Sequence, residues 1–162
     1  MPTIELSKEH YGPHIDESMQ SALEAFAQYE FPIVEACFGH LNEHSEIGRG
    51  DSFPAITMFI AQPNSQPGTP PWLEWYEKVT TTCEEMSRLL NEYYCSKSPA
   101  FDSRLTVYIT RYRTRAIYVE SIGAQVGHFL LLPDQRNALN RYRNEISGFI
   151  EYLRTKPQRT QH

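Results

Sequence analysis

The sequence is poor in the features that mark the commoner function classes. Its three cysteines, Cys37, Cys83 and Cys95, are odd in number and form no CxxC pair, which fits a reducing compartment better than a disulfide framework. No apolar run approaches the roughly 18 residues that span a bilayer. Met1 to Lys8 holds no basic segment leading into an apolar stretch, so the expectation is a cytoplasmic chain with no membrane partner. A GxSxG elbow, a P-loop and a GxGxxG loop are all missing. Glu84-Glu85, the best acidic pair, falls on a helix flank and offers no paired-carboxylate site. No enzymatic activity, cofactor or metal is therefore expected.

Positive charge is scarce in the first part of the chain. Residues 1–96 carry 4 basic and 15 acidic side chains, a net −11, whereas residues 97–162 carry 11 and 5, a net +6. The two fields either cancel within the fold or steer a charged partner. With 162 residues, 40% of them hydrophobic and 22% charged, the chain is sized for one domain with its own core.

Hydrophobic spacing places the elements. Ile15, Met19, Leu23 and Phe26 recur at helical intervals, with Asp16 and Glu17 suited to a first turn. Pro32 breaks that helix. Val34, Cys37, Phe38 and Leu41 restart the pattern as a second helix, with a strand as the rival reading and Gly48 as the stop. Phe53 to Ala61 is short, apolar and rich in strand formers, and Pro54 points to an edge. Gln62 to Pro71 contains four prolines and reads as loop.

Trp72, Tyr76, Val79, Cys83, Met86, Leu90 and Tyr93 alternate spacings of four and three, a long helix with Pro71 in its first turn. Tyr, Cys and Trp make poor seam residues, so a core helix is expected rather than a coiled coil. Leu139, Tyr142, Ile146, Phe149 and Leu153 repeat the spacing in a last helix from Pro133 to about Lys156. Gly148 weakens it by about 1 kcal/mol.

A meander is expected between these helices. A three-residue loop at Tyr112 to Thr114 sets Ile109 opposite Ile117 and Val107 opposite Val119, and Arg111 opposite Arg115. A type II′ turn at Gly123-Ala124 then pairs Val119 with His128 and Ile117 with Leu130. One face is aliphatic, with Leu105, Val107, Ile109, Ile117, Val119, Val126 and Leu130. The other carries Tyr108, Tyr118, Phe129 and Leu131 beside Thr106 and Glu120, a surface aromatic enough to need a cover or a ligand. The expected architecture is a single α+β domain over residues 1–162, ααβαβββα, with helices packed on a small antiparallel sheet. Residues 1–12 and 157–162 are expected to be flexible. The strand–strand–strand–helix order of residues 104–155 resembles single-stranded DNA-binding coactivator-like domains, although unrelated folds share that order.

Two short motifs carry resemblances. His40-Leu-Asn-Glu43-His44 resembles the HxxEH pattern of inverzincins, which implies two zinc-binding histidines, a glutamate that activates water and a distant acid such as Glu120. Only five residues and that acid carry it, and the reading adopted is solvated histidines at a helix end. His10 and His14 share the spacing but straddle Pro13. Gly48-Arg-Gly-Asp-Ser52 resembles the integrin-binding pentapeptide and is read as an ordinary polar turn. Cys83 and His128 are expected to be core residues.

The remaining constellation joins charge to geometry. Arg104, Arg111, Arg113 and Arg115 are expected at one end of the hairpin, interleaved with Tyr108, Tyr112 and Tyr118. Facing arginines repel unless an anion or an acidic group intervenes. The expected function is binding of a protein partner, as a regulator, adaptor or inhibitor, by this Arg/Tyr surface or by the acidic half. Single-stranded nucleic acid is the alternative, through stacking on tyrosines and arginine–phosphate contacts. A zinc hydrolase at His40, Glu43 and His44 is the third reading.

Overall fold

A computed structural model describes residues 14–41, 52–111 and 115–156. Four antiparallel strands form the sheet: β2 (Ile33–Cys37), β3 (Ala55–Met58), β5 (Ile117–Ser121) and β4 (Leu105–Ile109), in that spatial order. A two-residue strand β1 (His14–Ile15) adds in parallel to the outer edge of β2. Three α-helices, α1 (Gln20–Ala27), α2 (Pro70–Tyr93) and α3 (Leu132–Thr155), complete an α+β fold.

The helices cover one face of the sheet. Ala36, Ile56, Met58, Leu105, Ile117 and Val119 meet Met19, Phe26, Trp75, Met86, Leu89, Ile146, Phe149 and Leu153 in one apolar cluster. This is the aliphatic face expected from alternation. The hairpin register is also as expected, with Val107 opposite Val119 and Ile109 opposite Ile117. Every apolar residue of the predicted α3 stripe is buried. On α2 the stripe is rotated: Trp75 is buried, its indole N–H donating to the Ile60 carbonyl at 2.9 Å, while Tyr76 stands exposed. An indole gains both area and a hydrogen bond from that position, and the phenol keeps its hydroxyl in water.

Three expectations need correction. The second helix is strand β2, the rival reading: Gly39 at φ +89° ends the segment, and a register shift between Ile33 and Glu35 lets both Ile33 and Ala36 face inward while Glu35 and Cys37 face out. Strand β3 is central rather than marginal, with Pro54 just ahead of its first ladder residue, where no N–H is needed. The third meander strand is absent: residues 122–129 form two 3₁₀ turns. The edge of β5 it needed is taken by β3, which pairs Ile56 with Val119 and Met58 with Ile117. The observed order is therefore α1-β2-β3-α2-β4-β5-α3 after β1.

Candidate functional site

The structure separates the expected arginine cluster. Arg104 precedes the first ladder pair, Leu105 with Ser121, whereas Arg111 and Arg115 lie beyond the last, Ile109 with Ile117. About 13 Å of strand lies between those ends at the usual rise per residue. Arg104 packs its guanidinium over the Tyr94 ring at 4.3 Å. Tyr94 in turn accepts the Leu105 N–H at 2.8 Å and donates to Glu145 at 2.7 Å, and burial pushes its phenol far above the ordinary range. Arg104 thus belongs to the junction of α2, β4 and α3. Arg111 and Arg115 are exposed at the tip, and Tyr112 and Arg113 lie outside the described residues.

Tyr108 and Tyr118 sit directly opposite one another and stack, centroids 5.7 Å apart at 19°. Both are half-buried. The Tyr108 hydroxyl donates to Glu120 Oε1 at 2.6 Å. Alternation puts Glu35 and Cys37 of β2, Ala55 and Thr57 of β3, and Glu120 of β5 on this same outer face. Thr57 is buried there with no partner for its hydroxyl.

The Cys37 end of that face carries the polar chemistry. Glu120 lines a concavity of about 270 Å³ with Ser52, Phe53, Ala124 and His128. His128 is solvent-exposed, not in the core, because the strand that would have buried it does not form. Beyond β2, His40 Nε2 lies 2.7 Å from Asp16 Oδ2, and that carboxylate also accepts the Phe38 N–H at 2.7 Å. A carboxylate oxygen of Asp16, the Cys37 sulfur and a His40 ring nitrogen all fall within 4.8 Å of one another. Arg143 of α3 fixes the intervening turn, donating to the carbonyls of Phe38 (2.9 Å) and Gly39 (2.6 Å). Glu43, His44 and Gly48 to Asp51 lie outside the described residues, as do His10, residues 1–12 and residues 157–162. Cys83 is half-buried on α2, where burial pushes its thiol pKa up and away from a reactive thiolate.

One feature was invisible to the strand-based reading. Released from the sheet, the segment from Val126 to Leu132 exposes Val126 (59%), Phe129 (80%), Leu130 (42%), Leu131 (75%) and Leu132 (37%). The backbone beneath is nevertheless held. Gln135 Nε2 donates to the carbonyls of Leu130 (2.8 Å) and His128 (3.3 Å). Gly127 lies so close to the Phe53 ring that a Cβ there would fall 2.5 Å from it. At Gly123 the Tyr142 hydroxyl fills the space a Cβ would need, and it donates to Asp102, whose other oxygen takes Arg141 at 2.7 Å. The sequence signal was Phe129-Leu-Leu-Leu132 running straight into Pro133, apolar residues with no alternation to bury them.

The chain matches no known protein family, curated protein or solved structure. No helix among the described residues is long and apolar enough to cross a membrane.

Proposed function

We propose that this is a protein-binding module of regulator, adaptor or inhibitor type, and that the Val126–Leu132 ridge is its contact surface. The carrying observation is the exposure of five large apolar side chains within seven residues on a backbone pinned from below. Monomers seldom keep such a patch in water, and a preformed ridge costs little ordering on association. Phe129 and Leu131 are the central anchors, and the occupant is a different protein offering an apolar groove. A second copy fits less well, since the concavity beside the ridge is lined by Glu120 and His128.

Arg111 and Arg115, at the far end of the hairpin, steer an acidic partner without anchoring it. Protein is favoured over single-stranded nucleic acid because Glu35 and Glu120 share the tyrosine face and Tyr108 already donates to Glu120. An odd number of cysteines with no CxxC pair suits a cytoplasmic location.

The test is a comparison of variants against the partner isolated from source cells. Phe129→Ser with Leu131→Ser should weaken binding by roughly 2–4 kcal/mol, as loss of central anchors does. Arg111→Gln with Arg115→Gln should cost less and lower the salt dependence of association. Full affinity in the ridge variant, or concentration-dependent self-association that buries the ridge, would overturn the proposal.

A further inference from the structure

We propose that Asp16, Cys37 and His40 form a transition-metal site, with zinc as its resident ion. Three local features converge on it. Asp16 leaves β1 with its N–H on the Ala36 carbonyl, which sets it beside the end of β2. Cys37 is the last residue of β2, on the outer face with the sheet alternation. Gly39, in the left-handed region at φ +89°, turns the chain so that His40 comes back over Asp16. The resulting Cys37-Phe-Gly-His40 turn brings together a thiol and an imidazole, two of the side chains that ligate zinc.

The geometry suits an ion more than it suits a nucleophile. A tetrahedral zinc with ligand bonds of about 2.0–2.3 Å needs donor atoms roughly 3.3–3.8 Å apart. The three donors here lie within 4.8 Å of one another, and the closest pair, His40 with Asp16, is at 2.7 Å. Small side-chain rotations reach the required spacing. The Gly39 N–H already donates to the Cys37 sulfur at 3.4 Å, a contact that favours the thiolate a metal requires. Arg143 holds the turn through the Phe38 and Gly39 carbonyls, so the donors are set on a fixed frame. Cys37 is completely buried, which bars a bulky substrate from its sulfur, whereas an ion can enter beside the half-exposed His40.

A thiolate, an imidazole and a carboxylate together select zinc over magnesium or calcium, which take oxygen donors. On binding, the Cys37 thiol loses its proton to solvent, the proton between His40 Nε2 and Asp16 leaves through solvent with Nδ1 carrying the imidazole N–H, and that hydrogen bond gives way to two metal bonds. Three protein donors leave a fourth coordination position for a further ligand.

Cobalt(II) titration of the full-length, metal-stripped chain tests this directly. The expected result is one cobalt per chain, with a near-ultraviolet thiolate charge-transfer band, visible bands of a four-coordinate ion, and displacement by zinc. His40→Ala, at a half-exposed position least apt to unfold the chain, should weaken cobalt binding at least tenfold. Asp16→Asn should do the same, while Cys83→Ser and Cys95→Ser should leave both spectrum and affinity unchanged. Zinc should slow alkylation of Cys37 at least tenfold in the wild-type chain. Absence of the charge-transfer band at stoichiometric cobalt, undiminished cobalt affinity in His40→Ala, or loss of the band in Cys95→Ser would overturn the site. So would rapid alkylation of Cys37 that zinc does not slow, since that is the behaviour of a nucleophile.

Discussion

Gly123 is where the ridge is anchored to the fold, and replacing it by alanine tests that anchoring quantitatively. The new Cβ would lie 2.0 Å from the Tyr142 hydroxyl oxygen, 2.9 Å from Asp102 Cβ and 3.0 Å from Tyr142 Cζ. The hydroxyl must retreat by more than an ångström, yet Tyr142 is 1% exposed and its ring packs on Phe53 at 5.3 Å. Two costs follow. Overpacking of a tight core contributes about 1–3 kcal/mol. The Tyr142–Asp102 hydrogen bond is then lost, about 1–2 kcal/mol for a charged acceptor that is partly solvated. Gly123→Ala should therefore destabilise by about 2–5 kcal/mol, and Tyr142→Phe alone by about 1–2 kcal/mol. With the hydroxyl already gone, the severest contact is relieved and alanine meets only Asp102 Cβ at 2.9 Å and Tyr142 Cζ at 3.0 Å, so the double variant should cost clearly less than the sum of the singles. Urea unfolding of the four proteins measures the coupling, expected at about 1–3 kcal/mol. Additive effects would show that the hydroxyl does not fill the space above Gly123, and the anchoring would be refuted.

Other consequences are open to the same measurement. Tyr94→Phe should cost about 1–3 kcal/mol, because the buried Leu105 N–H loses its acceptor and Glu145 its donor; an unchanged urea midpoint would contradict it. The Asp102 carboxyl is held below its usual range by the Arg141 hydrogen bond, and Glu92 by Lys156. Depressed carboxylates stabilise the fold above their unfolded values and lose that contribution as pH falls through the folded ones. Stability should thus decline below about pH 4, with a smaller decline in Asp102→Asn; an identical acid profile in that variant would rule the pair out as a contributor. Gly39→Ala should destabilise by about 2–4 kcal/mol, since it adds left-handed strain and sets a Cβ 2.6 Å from Leu139 Cδ1; retained stability would mean that the turn carrying His40 is free to rearrange.

The β4–β5 register and the α3 face are legible because period-2 and period-3.6 patterns are local properties of the chain. Leu105 to Ile109 alternates cleanly, and a three-residue loop leaves one way to pair Val107 with Val119. What could not be read was which strand claims the second edge of β5. Ala55–Met58 and the segment after Gly123 both competed for it, and the choice depends on a contact across more than sixty residues. The rival pairing sets Val126 and Leu130 on the aliphatic core face and spreads Phe129 and Leu131 along the aromatic one, which hides the ridge. Arg104 parts from the other arginines for a related reason: it lies at the opposite end of the hairpin from Arg111 and Arg115. In the sequence Asp16 reads as a helix start and Cys37 as part of a helix stripe, which keeps them apart. Their proximity arises only when β1 pairs beside β2.

The central claim, that the Val126–Leu132 ridge contacts a partner protein, is tested most directly by placing a photo-crosslinking amino acid at Phe129 and, in a separate protein, at Arg111. Irradiation in source cells should give one discrete protein adduct from position 129, suppressed by Leu131→Ser, and little from position 111. No adduct from position 129, or the same adducts from both positions, would contradict the account.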